Sequence, residues 1–557
     1  MILCPGCGAD MRFDPAKQKL YCDYCNTELD PKEYHSSTAN VNEQEGFFEA
    51  TTFTCPQCGA EVISTDETAA TFCSYCGTSV LLESRVTKEK KPDIIIPFKR
   101  SKEESGAAYK ALIKKALFAP NDMQKDEEID KFRGIYMPYW VYSVESDDDL
   151  VVKGKVSTRQ GDYIVTSDYN LKSPVKASYK GIAYDASANF YDNLSNGISP
   201  FHPETEGLDF DPAYLSGFYA DTGDVDNSVY REKVKEYAID DIARQVTSKF
   251  NYGSYEVDRS AIAGALHVDD DVRSGLFPVW FLANRSADNK RISYAVVNGE
   301  TGKVSAEIPI DFKKYLLGSL IVAVPLFLLF NLLLTLTPGR MLFASLILAI
   351  VSLIMLNTHI NRVYTREHYL DDAGFQSVAK KKRLKDNVTE PTEEVKAQYK
   401  EVSNKGLLKA LKIITQVGLW FLNFAVTAIV FAAIASLLDI EVSDFFAIAW
   451  MAVYVIATLI LTKKVGRWFD AKMGISTEKV AVAPKKKKAA LAKPVIAIVI
   501  SAIILISSPA LDYYYYGAAL ISMVLIVWSF FDLIKQHNLL TTRKLPHLGK
   551  RGGDENA

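Results

Sequence analysis

Cys4-Pro5-Gly6-Cys7-Gly8 lies near the N-terminus, and Cys55-Pro56-Gln57-Cys58-Gly59 repeats it 51 residues later. Each is followed, after fourteen residues, by a second CxxC, in Tyr21-Cys22-Asp23-Tyr24-Cys25 and Phe72-Cys73-Ser74-Tyr75-Cys76. Two CxxC knuckles at this spacing are typical of a four-thiolate site that holds one tetrahedral ion. The sequence therefore predicts two zinc ribbons, each with one structural Zn2+. The predicted ligands are Cys4, Cys7, Cys22 and Cys25 in the first site and Cys55, Cys58, Cys73 and Cys76 in the second.

Details of the repeat favour ribbon geometry. Gly8 and Gly59 follow the second cysteine of a knuckle, where glycine allows the positive φ that turns the chain back. Tyr21 and Phe72 precede each second knuckle and are expected to cover the metal. A disulfide framework is the rival interpretation, but the segment after Met1 has no charged-then-apolar run, so reducing cytosol is expected. Rubredoxin-like iron is the alternative ion, and a closed site predicts no catalysis.

The second half of the chain is predicted to be a membrane region of six helices. Crossing the hydrocarbon takes about 20 apolar residues, with a range of roughly 17 to 25. Six uncharged apolar runs approach or meet that length, and a soluble core has little room for so many. The runs cover residues 315–337, 341–357, 413–438, 444–462, 494–511 and 517–534.

The loops between the runs predict the topology. The long connections 359–412 and 463–493 hold twelve and ten Lys and Arg, whereas the three short turns together hold one, Arg340. Basic residues accumulate on the cytoplasmic side of a membrane. We therefore expect three helical hairpins in a multi-pass cell-membrane protein. Its N-terminus, both long loops and its basic C-terminal tail are predicted to be cytoplasmic.

Residues 92–311 read as a soluble α+β region. Ser101 and Glu104 form a capping box that opens a helix through about Leu117, and a second helical pattern covers 229–250. Alternating apolar residues predict strands in 136–144, 150–156, 163–169 and 175–182. The stretch 298–303, Asn-Gly-Glu-Thr-Gly-Lys, predicts a hairpin turn. The region has none of the phosphate-binding, dinucleotide, metalloprotease or nucleophile-elbow motifs, so no catalytic residue and no enzymatic activity is predicted.

The fold class is thus multi-domain: two small zinc ribbons, a soluble α+β region and an all-α six-helix transmembrane region. The predicted domains are ribbon 1 at 1–40, ribbon 2 at 41–91, the α+β region at 92–311, the transmembrane region at 312–540 and a basic then polar tail at 541–557. Whether 92–311 forms one domain or two stays open, as does the oligomeric state.

The charge of the soluble part bears on its partners. Residues 1–91 hold eight basic and fourteen acidic side chains, and residues 93–311 hold 26 and 36. Each filled four-thiolate zinc site adds two further negative charges. Nucleic-acid binding draws most of its affinity from Lys and Arg on phosphates, so this charge disfavours it. The sequence instead predicts contact with the bilayer and with a cytosolic or membrane protein.

Three stretches carry a resemblance to a known family. They are the two ribbons, the segment 94–98 with 132–140, and Pro278-Val279-Trp280 followed by 298–304. Together they resemble bacterial membrane proteins with transcription-factor-IIB-type zinc ribbons, often labelled by analogy with the zinc-binding part of the primosomal replication helicase. The resemblance implies cytoplasmic ribbons, no assigned catalytic residues and no established role. This chain departs in having two ribbons and six predicted helices, where one ribbon and fewer helices are common.

Three functions are compatible with these features. The leading hypothesis is a non-enzymatic, membrane-anchored zinc-ribbon adaptor or scaffold that docks a cytosolic protein at the inner face of the membrane. The second is a transporter or channel component, for which the spans offer few polar residues or helix breaks: Asn331, Asn423, a few Ser and Thr, Pro325 and Pro509. The third, a membrane-tethered nucleic-acid-binding protein, depends on the ribbons alone and runs against the charge.

Overall fold

The structure, a computed structural model, describes residues 2–38, 46–64, 73–78, 83–248, 259–286, 290–333, 337–386 and 488–545. The chain divides into two compact units. The first, which we call the head, holds the described parts of Met1–Leu317, Thr365–Asp386 and Asn538–Ala557. The second, the helical unit, holds those of Gly318–Tyr364 and Asn387–His537.

The strands of the head fall into two sheets. They are β1 (Arg12–Asp14), β2 (Lys19–Tyr21), β3 (Glu28–Leu29), β4 (Phe47–Thr54), β5 (Glu61–Ser64), β6 (Glu83–Lys90), β7 (Ile94–Ile95), β8 (Arg133–Gln160), β9 (Tyr163–Asp185), β10 (Leu208–Asp209), β11 (Tyr219–Ala220), β12 (His267–Val268), β13 (Arg273–Arg285), β14 (Arg291–Asn298), β15 (Val304–Ala306) and β16 (Arg543–Lys544).

In the described residues, β1, β2 and β3 form the small antiparallel sheet of ribbon 1. The other 13 described strands join one mixed sheet, whose main path is β10-β7-β13-β8-β11-β5-β4-β6. Off this path, β9 and β12 pair with β8, β14 pairs with β13, and β15 and β16 pair with β14. Ribbon 2 therefore shares a sheet with the α+β region, because its β5 pairs with β11 at Ile63 and Ala220. The domain boundaries predicted from the sequence stay predictions.

Both faces of the large sheet are buried around β13. Successive residues of a strand point to opposite faces, and β13 sends Phe277, Val279 and Phe281 into one core but Trp280 and Leu282 into another. The cysteines of ribbon 2 belong to the first core, and the buried cysteines of ribbon 1 belong to the second. The two metal centres thus belong to cores on opposite faces of β13. The two copies of the sequence repeat are therefore packed in different cores.

The four short strands predicted between residues 136 and 182 are instead parts of two long ones. β8 has 28 residues and β9 has 23, and they pair from Tyr139 with Asp185 out to Gln160 with Tyr163. The prediction divided them because apolar alternation lapses between the segments. The backbone pairing nonetheless continues through the polar residues between them.

The turn predicted at 298–303 is present, but the positive φ lies elsewhere than expected. Asn298 donates its amide to the carbonyl of Lys303 at 2.9 Å, and β14 and β15 pair on either side. Gly302, not Gly299, has φ of +79°. At Gly299 an added Cβ would lie 2.6 Å from the ring of Phe98, so glycine is needed there for space rather than for φ.

The helices include both of those predicted in the α+β region. They are α1 (Pro31–Thr38), α2 (Lys102–Lys115), α3 (Asp126–Ile129), α4 (Asp192–Ile198), α5 (Pro203–Glu206), α6 (Arg231–Ser248), α7 (Arg259–Ala265), α8 (Phe312–Leu333), α9 (Pro338–Glu367), α10 (Ala373–Asp386), α11 (Ala492–Ser507) and α12 (Asp512–Leu540). The capping box at the start of α2 is confirmed, since the side chains of Ser101 and Glu104 bond each other's backbone amides.

Three of the described helices are long and apolar enough to cross a membrane: α8, α9 and α12. They coincide with three of the six predicted runs. A fourth run, 494–511, coincides with α11, whose 16 residues make a shorter apolar helix. The runs 413–438 and 444–462 lie outside the described residues. The described chain thus gives three candidate spans rather than six.

In the helical unit, α9, α11 and α12 pack against one another through small side chains. Among the described residues, α9 buries one face, with Ser345, Ala349 and Ser352 on it, whereas the described side chains of α8 are not buried. Hydroxyl pairs join the helices, Ser352 to Ser529 at 2.5 Å and Ser501 to Ser522 at 2.9 Å. Small residues allow close approach and hydroxyls bond across helices in an apolar setting. This packing suits a lipid environment.

Candidate metal centres

The structure brings each predicted cysteine quartet together. Cys4, Cys7, Cys22 and Cys25 form what we call site 1, and Cys55, Cys58, Cys73 and Cys76 form site 2. Within each site the four sulfur atoms lie within 4.8 Å of one another. No cysteine of either site is in a disulfide. The clustering expected from the spacing is therefore present twice.

All four knuckles of the two sites have the same backbone geometry. The amide after the second cysteine donates to the carbonyl of the first cysteine at 2.7–2.9 Å. That residue has positive φ in every case: +75° at Gly8, +59° at Asn26, +71° at Gly59 and +65° at Gly77. Asparagine is among the few non-glycine residues that adopt this region readily. The positive φ predicted at Gly8 and Gly59 is confirmed, and the same turn occurs without having been predicted at Asn26 and Gly77.

The sulfur–sulfur distances fit a tetrahedral ion rather than a disulfide. Zn–S bonds of about 2.3 Å place neighbouring sulfurs about 3.8 Å apart, whereas a disulfide requires about 2.05 Å. In site 2, Cys55 and Cys76 are 3.8 Å apart and Cys58 and Cys73 are 3.7 Å apart. In site 1 the corresponding pairs are separated by 3.4 and 3.5 Å. The residues present therefore fit a four-thiolate metal ion, for which zinc is the first choice.

Metal binding requires thiolates, and within each quartet hydrogen bonds among the sulfurs and to nearby residues lower the pKa of some cysteines and raise that of others, among them Cys7 and Cys58. The hydroxyl of Thr27, 3.0 Å from the sulfur of Cys25, and the Thr27 amide lower the pKa of Cys25 to about 6. Hydrogen bonds from the thiols of Cys58 and Cys73 lower the pKa of Cys55 to about 6. An ordinary cysteine titrates near pH 8.5. In each site at least one ligand thus has a pKa below the ordinary value for cysteine.

The two sites differ in solvent access. In site 1, Cys7 and Cys25 are exposed, whereas every cysteine of site 2 is buried. The neighbouring tyrosine shows the same contrast, because Tyr24 is 84% exposed and Tyr75, its equivalent in the repeat, is 2% exposed. The sequence gives no hint of this asymmetry, since the two motifs are nearly identical. It arises from what each ribbon packs against.

Ribbon 2 presents its second knuckle to the core of the head. The ring of Tyr75 packs on Phe281 of β13, with ring centroids 5.7 Å apart, and the Tyr294 hydroxyl donates to the Tyr75 carbonyl at 2.7 Å. Arg285 donates its Nε to the carbonyl of Cys76 at 2.6 Å. These contacts fix the metal-binding loop to β13 and β14. A metal at site 2 is thereby part of the packing of the head.

Ribbon 1 packs through a different surface, its β1–β2 hairpin. The Ser216 hydroxyl donates to the Met11 carbonyl at 2.6 Å, and the ring of Phe13 lies edge-on to Tyr214, 5.2 Å away. Met11 is fully buried by this contact. Of the two aromatic residues expected to cover the metals, Tyr21 is partly buried and donates its hydroxyl to the side chain of Asn26, while Phe72 lies outside the described residues. The cover itself stays a prediction.

The structure also shows a buried charged cluster that the sequence analysis did not single out. Arg543 of β16 bonds Glu307 at 3.1 Å and Asn193 at 2.7 Å, and its guanidinium stacks 3.5 Å above the ring of Tyr191. Arg366, at the end of α9, lies 3.5 Å from the same Glu307. These residues are hundreds of positions apart in sequence, so no local pattern announces them.

Buried carboxylates lie in the same unit. Burial, with repulsion from Asp192, raises the pKa of Asp372 to about 7 and that of Asp185 well above its ordinary range. One oxygen of each is buried without a hydrogen-bond partner. Asp192 itself accepts from Tyr230 at 2.9 Å and Lys233 at 3.1 Å. The described acidic groups are not close enough together to form a third metal cluster.

Comparison with known proteins gives one informative match. The chain is 30% identical, over 324 residues, to a Bacillus subtilis (strain 168) protein described as "Uncharacterized protein YdjG". The match covers 55% of this chain and 89% of that relative. No protein-family model matches the chain. No solved structure matches it either.

Proposed function

We propose a function for this chain, which belongs to the same family as the uncharacterized Bacillus subtilis protein YdjG. Its basis is that the two ribbons have different surroundings in the head. It is a non-enzymatic, membrane-anchored adaptor of the transcription-factor-IIB-type ribbon class. Ribbon 2 holds the head together, and ribbon 1 docks a cytosolic protein at the inner face of the membrane. Two structural zinc ions stabilise the ribbons.

The exposure of Tyr24 carries the proposal. Ribbon 2 uses the equivalent Tyr75 and the carbonyl of Cys76 to bind β13 through an aromatic ring and an arginine. Ribbon 1 offers the same tyrosine, 84% exposed, on a knuckle with the same backbone geometry. A tyrosine ring buries a large area at a protein interface and its hydroxyl finds a polar partner. The expected partner surface is therefore aromatic with a nearby arginine, as β13 is.

Charge supports a protein partner over nucleic acid. Acidic side chains exceed basic ones by six in residues 1–91 and by ten in residues 93–311. Phosphate backbones require the opposite sign. An acidic head attracts basic surfaces, and the field also speeds their encounter. A nucleic-acid-binding role is the weakest of the three candidates for this reason.

The chain path supports a multi-pass topology, because α8, α9 and α12 each run from one unit into the other. The head includes the start of α8 up to Leu317, the end of α9 from Thr365 and the end of α12 from Asn538. If α8 and α9 both cross, the chain returns to the side of the head. It must then cross an even number of times before Asn538. The runs 413–438 and 444–462 lie outside the described residues, so their crossings stay predictions, as does a membrane hairpin of α11 with α12.

Basic residues place the head in the cytoplasm in this proposal. The loops 359–412 and 463–493 carry 22 of the chain's Lys and Arg, and basic residues accumulate on the cytoplasmic side of a membrane. Green fluorescent protein fused after Ala557 and a biotin-acceptor peptide inserted at Pro509 test this in cells. We expect a fluorescent C-terminus and an acceptor that cytosolic biotin ligase does not modify. A dark C-terminus with a biotinylated turn would reverse the topology.

Proximity labelling from the full-length protein in cells tests the docking role. The variant Tyr24→Ala should lose most of the labelled partners, because it removes the exposed ring. Tyr237→Ala is the matched control, since Tyr237 is a 51% exposed tyrosine on α6, far along the chain from the ribbons. Identical partner sets for wild type and both variants would remove the support for ribbon 1 as the docking surface.

A transporter or channel component remains the second candidate. One contact of the helical unit favours it: Lys493 and Asp532 form an ion pair at 2.5 Å between α11 and α12, with Lys493 4.4 Å from the ring of Trp528. Ionisable residues near a membrane region are often functional. Solute flux in proteoliposomes that Lys493→Met abolishes would favour this function over the adaptor.

A further inference from the structure

We infer that site 1 is a peroxide-sensitive thiolate centre, which small hydroperoxides oxidise with release of its metal, while site 2 in the same molecule is protected. The inference goes beyond the docking role and holds whether or not ribbon 1 binds a protein. It assigns different chemistry to two motifs that the sequence makes equivalent. Its basis is the access of an oxidant to the sulfur atoms.

Site 1 exposes half of its ligands. Cys7 and Cys25 are exposed, and their partners Cys4 and Cys22 are 3% and 0% exposed beneath them. The susceptibility of a cysteine to oxidation follows its thiolate character and its exposure. A metal-bound cysteine is a thiolate by necessity, so exposure decides between the two sites. Each exposed sulfur of site 1 is reachable from water.

Site 2 is closed by the head itself. Its four cysteines are at most 3% exposed, and the ring of Tyr75 packs over the second knuckle against Phe281. The backbone on the far side touches β13, because an added Cβ on Gly77 would lie 3.2 Å from the carbonyl oxygen of Ala283. Oxidant reaches these sulfurs only after the head opens locally. Opening a packed core costs free energy, and the oxidation of an exposed cysteine does not require that cost.

The neighbouring sulfur atoms in site 1 determine which disulfides can form. Cys25 lies 3.4 Å from Cys4, and Cys7 lies 3.5 Å from Cys22, so each exposed sulfur touches a buried one. A disulfide requires the pair to close to about 2.05 Å. We expect the disulfide to join an exposed thiolate to its buried neighbour. Cys25 would bond Cys4, or Cys7 would bond Cys22, and both link the two knuckles.

The reaction balances with one peroxide for each disulfide. The exposed thiolate attacks an oxygen of hydrogen peroxide, the O–O bond breaks, hydroxide leaves and a sulfenic acid forms. The buried thiolate attacks that sulfur, the S–S bond forms and a second hydroxide leaves. Two thiolates are oxidised and one peroxide is reduced to two hydroxide ions. The two thiolates that remain hold zinc too weakly, and Zn2+ passes to solvent. Hydrogen peroxide is uncharged, so the acidic head does not repel it.

Zinc release from the purified full-length protein in detergent tests the inference. The protein is treated with hydrogen peroxide in the presence of the colorimetric chelator 4-(2-pyridylazo)resorcinol. We expect release in two phases, with the first half of the zinc freed at least about tenfold faster than the second. Trypsin cleaves between Cys7 and Cys22 but not between the cysteines of site 2. Mass spectrometry should therefore find the 1–12 and 20–32 peptides joined by a disulfide after the first phase.

Matched variants assign the phases. Cys25→Ser should bind one zinc and lose the fast phase, and Cys76→Ser, the same position in the repeat, is its counterpart. Because Cys76→Ser is liable to unfold the head, differential alkylation of the wild-type protein provides the same assignment without a variant. Release of both ions at one rate, or site 2 cysteines oxidised while those of site 1 stay reduced, would overturn the inference.

Discussion

The buried pair of Arg543 and Glu307 offers a quantitative test of how the head is held together. Arg543→Met keeps the aliphatic stem but removes the guanidinium that bonds Glu307, Asn193 and the ring of Tyr191. The side chains of Arg543 and Glu307 are 6% and 4% exposed. Removing one member of such a pair leaves a buried charge without its partner. The substitution should therefore destabilise the sheet at β14, with which β16 pairs.

Arg543→Met is expected to lower the free energy of unfolding by about 3 kcal/mol, which is near the lower end of the range for broken buried ion pairs. Arg366 remains 3.5 Å from Glu307 and compensates in part. At about 1.4 kcal/mol per tenfold change, this loss opens the structure about a hundredfold more often. Adding Glu307→Gln removes the unpaired charge, so the double variant should recover about half of the loss.

Hydrogen–deuterium exchange of the full-length protein, read by mass spectrometry on peptides from β14, measures the effect. Arg543→Met should raise amide exchange in 291–298 by about a hundredfold. Lys544→Ala is the control, because that side chain is 77% exposed and its ion pair with Glu367 is 3.8 Å long. An exposed pair contributes about 0 to 1 kcal/mol, so the control should change exchange by less than about fivefold. Equal exchange in the two variants would refute the assigned role of the buried pair.

Three further predictions follow from the two ribbons and the buried carboxylates. Tyr75→Ala should destabilise the head by about 3 to 5 kcal/mol, whereas Tyr24→Ala should stay within about 0.5 kcal/mol, measured by thermal unfolding. A zinc chelator at neutral pH should remove one zinc without loss of head structure and the second only with unfolding, followed by circular dichroism and zinc content. Burial and repulsion from Asp192 raise the pKa of Asp372 to about 7 in the folded state, so the folded state binds more protons than the unfolded one. Stability should therefore fall as pH rises from about 4 to about 7, and Asp372→Asn should flatten that dependence in urea unfolding. An unchanged slope in that variant would assign the effect to another group.

The cysteine spacing predicted the ligand sets because a tetrahedral site imposes local geometry that short motifs must satisfy. Both quartets and the positive φ at Gly8 and Gly59 follow from that geometry. The capping box of α2 and the turn before β15 were also predictable, because a few adjacent residues determine each of them. Local chemistry was readable wherever a few adjacent residues determine it.

Long-range features were not readable in this way. The burial of site 2 depends on β13, more than two hundred residues later in the chain, so equivalent motifs gave no sign of unequal exposure. β14 pairs with β16 at Ile292 and Arg543, and the residues of the helical unit lie between these two strands in the sequence. No periodicity in the sequence indicates this pairing. The lengths of β8 and β9 were underestimated because backbone pairing, rather than an apolar face, continues them.

The place of β16 in the chain has a consequence for biosynthesis. The ribosome makes this strand after every helix that is a candidate to enter the bilayer, yet β16 pairs with β14, made some 250 residues earlier. The sheet therefore stays unfinished, with Glu307 lacking Arg543, until translation has passed the last helix. A polypeptide that stalls or is cut short within the helical unit carries a head with an open edge. Cellular proteases that recognise such edges would remove incomplete products while sparing the finished protein.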